Sequence, residues 1–122
     1  MKVLFLDDNK NRIDAAIKLF NGDDLFVAKA ASEAILYLSN LDNLDLVMLD
    51  HDLGGEAFVD SDREDCGMEV VRWILRTKPK IKRIVIHSWN VPASNVMVSM
   101  LGLAGYSVAY KPFAFNISES EG

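Results

Sequence analysis

Val3-Leu4-Phe5-Leu6-Asp7-Asp8 sets four apolar residues in unbroken succession and then two carboxylates. A strand with one solvated face would alternate apolar and polar residues, so a continuous run marks a strand covered on both faces. The same form returns at Leu46-Val47-Met48-Leu49-Asp50 and, shorter, at Ile84-Val85-Ile86-His87-Ser88. Between these runs lie segments with helical spacing. Ile13, Ala16, Ile17 and Phe20 form one apolar face, and Asn21-Gly22 supplies its stop. Residues 25–30 read as a further strand, and Ser32 as the N-cap of a short helix through Leu38. Met68, Val71, Ile74 and Leu75 define a helix over residues 67–77, ended by Pro79. A fourth helix is expected over residues 94–104 with Gly105 behind it, and a fifth strand over 106–110. Strands alternating with amphipathic helices predict an α/β domain around a parallel sheet, with five strands and four helices.

The chain has 122 residues, which suits one domain, here residues 1–113 followed by a short acidic tail, 114–122, containing Phe115. No apolar run approaches the roughly 20 residues needed to span a bilayer. With the first strand starting at Lys2, no secretory signal is expected. The lone Cys66 excludes an internal disulfide and fits a reducing, cytoplasmic setting. A net charge of −5 argues against duplex nucleic-acid binding, which needs a basic face, and nothing points to a membrane. A small anionic ligand remains compatible, because a metal ion inverts the local field.

Ligands of open parallel sheets bind at the carboxyl ends of the strands. The residues at those ends are Asp7-Asp8, Asp50, His87-Ser88 and Lys111-Pro112. Taken singly each has a bland reading, since an acidic pair after a strand often only caps a helix. Together they describe a site. Three gathered carboxylates repel one another without a counter-charge, and a hard cation such as Mg²⁺, or Mn²⁺ in its place, satisfies them. A hydroxyl from Ser88 and an ammonium from Lys111 would then suit a phosphoryl group. Arg12, one helical turn beyond Asp8, would reach the same phosphate or else remain an exposed helix charge.

This order of acidic pair, strand-terminal Asp, strand-terminal Ser and Lys-Pro resembles the receiver domains of two-component response regulators over about residues 2–113. The resemblance implies a flavodoxin-like sheet in the order 2-1-3-4-5. It implies that Asp7, Asp8 and Asp50 surround Mg²⁺ with the backbone carbonyl of Asp52. It further implies that Asp50 accepts a phosphoryl group held by Ser88 and Lys111, and that Lys111-Pro112 is cis. The strings LFLDDNKNR, VMLDHDLGG, GMEVVRWIL, IHSWN and LAGY are similar to a narrower branch, the cyclic-phosphate-processing receiver family. Three features depart from an ordinary receiver. Val108 stands where an aromatic switch residue is usual, no fifth helix is expected after Pro112, and the segment from His51 to Asp65 is long and carries six acids.

Both histidines, His51 and His87, abut the acidic cluster, where either would transfer protons near neutral pH or simply pack. Strand alternation would turn His87 away from the face that Ser88 serves. Two functions follow. One is a metal-dependent phosphoesterase acting on a cyclic phosphate or other phosphoester of a small molecule, nucleotide or RNA end. The other is a single-domain response regulator phosphorylated at Asp50. Finally, Val96 and Leu103 extend the apolar surface of the fourth helix beyond one core-facing stripe. A homodimer through the fourth helix and fifth strand is therefore expected.

Overall fold

The computed structural model describes residues 1–113; the tail 114–122, with Phe115, lies outside the described residues. Strands β1 (Lys2–Leu6), β2 (Asp24–Ala28), β3 (Leu46–Leu49), β4 (Ile84–Ile86) and β5 (Val108–Tyr110) form one sheet in the order β2-β1-β3-β4-β5. Every neighbouring pair is parallel, with Val3 beside Leu46 and Leu49 beside Ile86. Helices α1 (Lys10–Leu19), α2 (Ala31–Asn40), α3 (Gly67–Thr77) and α4 (Val91–Leu103) connect them. The flavodoxin-like architecture and its strand order are as expected from the sequence.

The unbroken apolar runs are explained by helices on both faces. Leu4, Leu6, Val47, Leu49, Ile84 and Ile86 pack with Ala34, Val71, Ile74, Met97 and Leu101 from α2, α3 and α4. Val3 and Phe5, one residue out of phase along β1, meet Ile13, Ala16, Phe20 and Phe113 on the other face. Leu46 and Met48 face that second cluster and are only partly buried.

Three element ends lie away from their predicted places, and at α4 capping chemistry outweighs hydrophobic periodicity. Helix α4 begins at Val91, three residues before the predicted start. The side chain of Asn90 accepts a hydrogen bond from the Ala93 amide, and Pro92 sits in the first turn, where its missing N–H costs nothing. Helix α2 starts at Ala31, with Ala30 rather than Ser32 at the cap position. Strand β5 is shorter than predicted and starts at Val108. Among the described residues no peptide bond is cis, so Lys111-Pro112 departs from the receiver expectation. The trans form is the lower-energy one. The Lys111 amide bonds the Ile86 carbonyl at 2.8 Å, and the Phe113 amide bonds that of His87 at 3.0 Å.

Candidate functional site

Because β1 and β3 are adjacent and parallel, their carboxyl ends deliver Asp7, Asp8 and Asp50 to one place. One carboxylate oxygen of each lies within 4.8 Å of the others. Asp7 is fully buried and accepts the Asn9 amide at 2.9 Å. It also takes a two-point contact from Arg12, with Nε at 2.6 Å and Nη2 at 3.0 Å. Asp8 accepts the Gly55 amide at 2.6 Å. That contact depends on a tight turn, in which Gly54 and Gly55 hold φ of 79° and 77°.

Asp50 is the buried floor. Its Oδ1 accepts the His51 amide at 2.8 Å, while its Oδ2 is buried with no hydrogen-bond partner among the described residues. Arg12 Nη2 stands 3.5 Å from that oxygen. Burial, and then the neighbouring charge of Asp7, push the Asp50 carboxyl up to about 7, against the opposing pull of Arg12 and the His51 amide. An orphaned anionic oxygen inside a ring of acids is the donor set that a hard divalent cation completes, so the residues present fit Mg²⁺ or Mn²⁺. Arg12, expected over the phosphate, is turned into the acids and serves as their internal counter-charge. Hydrogen bonding to Asp7 raises its own pKa further.

Ser88 lies at the end of β4 on the same side, almost wholly buried, and lines the cavity together with Asp8, Arg12, Asp50 and Asp52. Lys111, at the end of β5, is exposed and is not among the residues lining that cavity.

The two histidines separate. His51 is fully buried beneath the long loop, with Nδ1 2.7 Å from Asp52 Oδ1 and Nε2 2.9 Å from the Ser61 hydroxyl. The ionised partner assigns the proton to Nδ1, leaving Nε2 to accept from Ser61. Asp52 also accepts from the Phe58 and Val59 amides and from Asn90 Nδ2 at 3.1 Å. Burial of Asp52 opposes its ionised form, but these hydrogen bonds outweigh that cost and hold its carboxyl below the usual range. The polar segment is therefore an anchored loop, folded around His51 and Asp52. Arg63 ties its outer part to Glu56 and Asp65, and Cys66 is buried at its end.

His87 faces the opposite side of the sheet, as strand alternation predicts. Its ring stacks on Phe5 at 4.9 Å, and Nε2 donates to the Leu6 carbonyl at 3.0 Å. Nδ1 lies 3.6 Å from Asp7 Oδ2. Burial lowers its pKa to about 4, and the Asp7 carboxylate offsets this only in part. We expect the His87 ring to stay neutral until the pH falls to about 4. Its contribution to stability is then complete above about pH 6.5 and lost as pH falls through 4. Ring-nitrogen NMR across pH 4–8 checks this; a midpoint near 6.5 would show the ring to be solvated instead.

Sequence reasoning overlooked Trp89, which lines the cavity beside Ser88. Its signal was available, because a large aromatic sits between two polar residues where a buried strand has just ended.

Several comparisons bear on this geometry. A family model described as the cyclic-phosphate processing receiver domain matches residues 2–102. No curated protein sequence matches the chain. Among solved structures, the response regulator TrrA from Thermotoga maritima, in complex with Mg(2+)-BeF, is 24% identical with a TM-score of 0.68, covering 99% of this chain and 94% of that one. A response regulator receiver protein from Pseudomonas putida is 23% identical with a TM-score of 0.59, covering 97% and 91%. The Francisella response regulator 1452 receiver domain is 19% identical with a TM-score of 0.60, covering 98% and 91%. At these identities the solved structures speak to the fold alone. The family match spans most of the sequence and takes in Asp7, Asp8, Asp50 and Ser88. The chain therefore belongs to the family of cyclic-phosphate processing receiver domains.

Proposed function

We propose that this domain processes a phosphoester, a cyclic phosphate first among them, with Mg²⁺ or Mn²⁺ held by Asp7, Asp8 and Asp50. The observation that carries the reading is the buried Asp50 Oδ2, which has no hydrogen-bond partner among the described residues although it sits inside the acidic cluster. The Mg(2+)-BeF complex of the similarly folded TrrA supports it. When bound, the metal would polarise the phosphoryl oxygen and lower the pKa of a coordinated water. Ser88 donates its hydroxyl to a phosphoryl oxygen, stabilising charge that develops there. Asp52, ionised and lining the cavity, would take the proton from a water attacking phosphorus and return it to the ester oxygen released as the P–O bond breaks. His51 acts through Asp52 and is a positioning residue, since it bonds Asp52 and Ser61 and is not among the cavity's lining residues. Lys111 would supply a further cation at the end of β5, and Arg12, which lines the cavity, would be within reach of a phosphoryl oxygen.

The receiver fold supports a second reading, in which Asp50 itself accepts the phosphoryl group and the domain signals. Phosphorus NMR of the purified protein with Mg²⁺ or Mn²⁺ and a panel of cyclic and linear phosphoesters separates the two. Turnover that vanishes in Asp50→Ala carries the enzyme reading. A stable acyl-phosphate resonance without turnover carries the signalling one. Neither signal would overturn both.

We also propose that α4 and β5 form a homodimer interface. Val96 and Leu103, seven residues apart on one helical face, are 49% and 91% exposed. Sedimentation at micromolar concentration should give a dimer that Leu103→Lys dissociates. A monomeric parent protein would dispose of the idea. Among the described residues, no helix is long and apolar enough to cross a membrane.

A further inference from the structure

The cavity over Asp50 is larger than a metal and a phosphoryl group require. Its volume is about 410 Å³, within the range of sites that enclose a whole small organic ligand. One of its walls is aromatic: Trp89 is 60% exposed and lines the cavity one residue beyond Ser88. Gly55, Glu56 and Ala57 of the anchored loop, with Lys10 from α1, contribute to the rest of the rim.

The backbone on either side of Trp89 is fixed. The Ser88 carbonyl accepts the Tyr110 hydroxyl at 2.8 Å, and the Asn90 amide donates to Ser88 Oγ at 3.1 Å. The Asn90 side chain caps α4 and bonds Asp52. These bonds fix the backbone that carries Trp89, and its exposed indole at the cavity's edge is available to stack on a planar partner.

We propose that Trp89 is the base-stacking wall of this site and that the phosphoester processed here belongs to a nucleoside, as a free nucleotide or a single-stranded RNA terminus. The inference rests on the reading that a phosphoryl group sits at Asp50 and Ser88. Stacking against any base explains why the wall is one sequence-tolerant aromatic face. The acidic surface of the chain agrees with a single nucleotide unit rather than a duplex.

The test compares ligands that share a phosphate and differ in the base. Adenosine 5′-monophosphate and ribose 5-phosphate are titrated calorimetrically into the full chain in Mg²⁺. Trp89 fluorescence is followed in a Trp73→Phe background, which leaves it the sole indole. The nucleotide should bind about tenfold tighter than the sugar phosphate and quench Trp89. Trp89→Ala should bring the two affinities together by weakening the nucleotide alone, and Trp89→Phe should keep part of the preference. Equal binding of both ligands by the parent protein, or equal weakening of both by Trp89→Ala, overturns the stacking wall and leaves the phosphate site standing. Binding of neither ligand overturns both.

Discussion

Gly67→Ala should destabilise the protein by about 3 kcal/mol, although it adds a single methyl group to a helix. Gly67 opens α3 directly beneath the end of β3, where its amide donates to the His51 carbonyl at 2.8 Å. A Cβ built there would overlap the Asp50 carbonyl oxygen and come within 2.8 Å of the Asp50 carbonyl carbon and 2.9 Å of His51 Cα. These are backbone atoms, which cannot rotate aside as a side chain would. Relief requires α3 to lift from the sheet, and α3 carries Met68, Val70, Val71 and Ile74 into the core. Moving the Asp50 backbone would also disturb the acidic cluster, so metal affinity should fall together with stability. Gly102→Ala is the matched control. In α4 the new methyl would meet only Val108 Cγ1, at 3.7 Å, and removing a helical glycine should stabilise by up to about 1 kcal/mol. Urea denaturation of the two variants beside the parent reads both effects as shifts in midpoint. Equal midpoints for Gly67→Ala and the parent would mean that α3 does not sit this close to β3.

This crowding marks where sequence reading stops. The strands were legible because doubly covered strands leave unbroken apolar runs, and Val3 to Leu6 and Leu46 to Leu49 lie where those runs predict. The convergence of Asp7, Asp8, Asp50 and Ser88 was legible as well, since parallel strands put all their carboxyl ends on one edge. Side-chain direction was only partly legible. Alternation along β4 correctly sent His87 away from Ser88, but nothing in the order of residues shows that His51 folds under its own loop to reach Ser61, ten residues on. Arg12 was ambiguous for a related reason. One helical turn places it near both the acids and the phosphate position, and the choice between them depends on charge balance in three dimensions. The stretch from His51 to Asp65 read as a polar excursion because its order comes from a few hydrogen bonds to Asp52, which leave no periodic trace.

Asp50→Asn should stabilise the metal-free protein at pH 8 while abolishing its stabilisation by Mg²⁺. In the folded chain burial and Asp7 push the Asp50 carboxyl up to about 7, from a reference value of 3.8. The folded state therefore holds this proton more tightly than the unfolded state. The group's contribution to stability is complete below about pH 4, declines as pH rises, and is lost above about 7. By linkage the decline is on the order of 4 kcal/mol across that window, with the charged carboxylate opposing the fold at pH 8. An amide of the same shape is neutral at every pH in the window, so the variant should recover roughly half of that loss in EDTA. Mg²⁺ reverses the comparison. A cation that binds only the folded parent chain stabilises it by about 2.7 kcal/mol at a hundred times its dissociation constant, and competes directly with the proton at Asp50. The gain should therefore shrink as pH falls from 8 to 6, and it should be absent from Asp50→Asn at either pH. Melting curves of both proteins, in EDTA and in Mg²⁺, should thus cross: variant above parent without metal, parent level with or above variant with it. If the variant melts lower than the parent in EDTA at pH 8, Arg12 already neutralises the cluster, and the strain assigned here to the Asp50 carboxylate is absent. If Mg²⁺ raises both melting temperatures equally, the ion binds somewhere other than among these three acids.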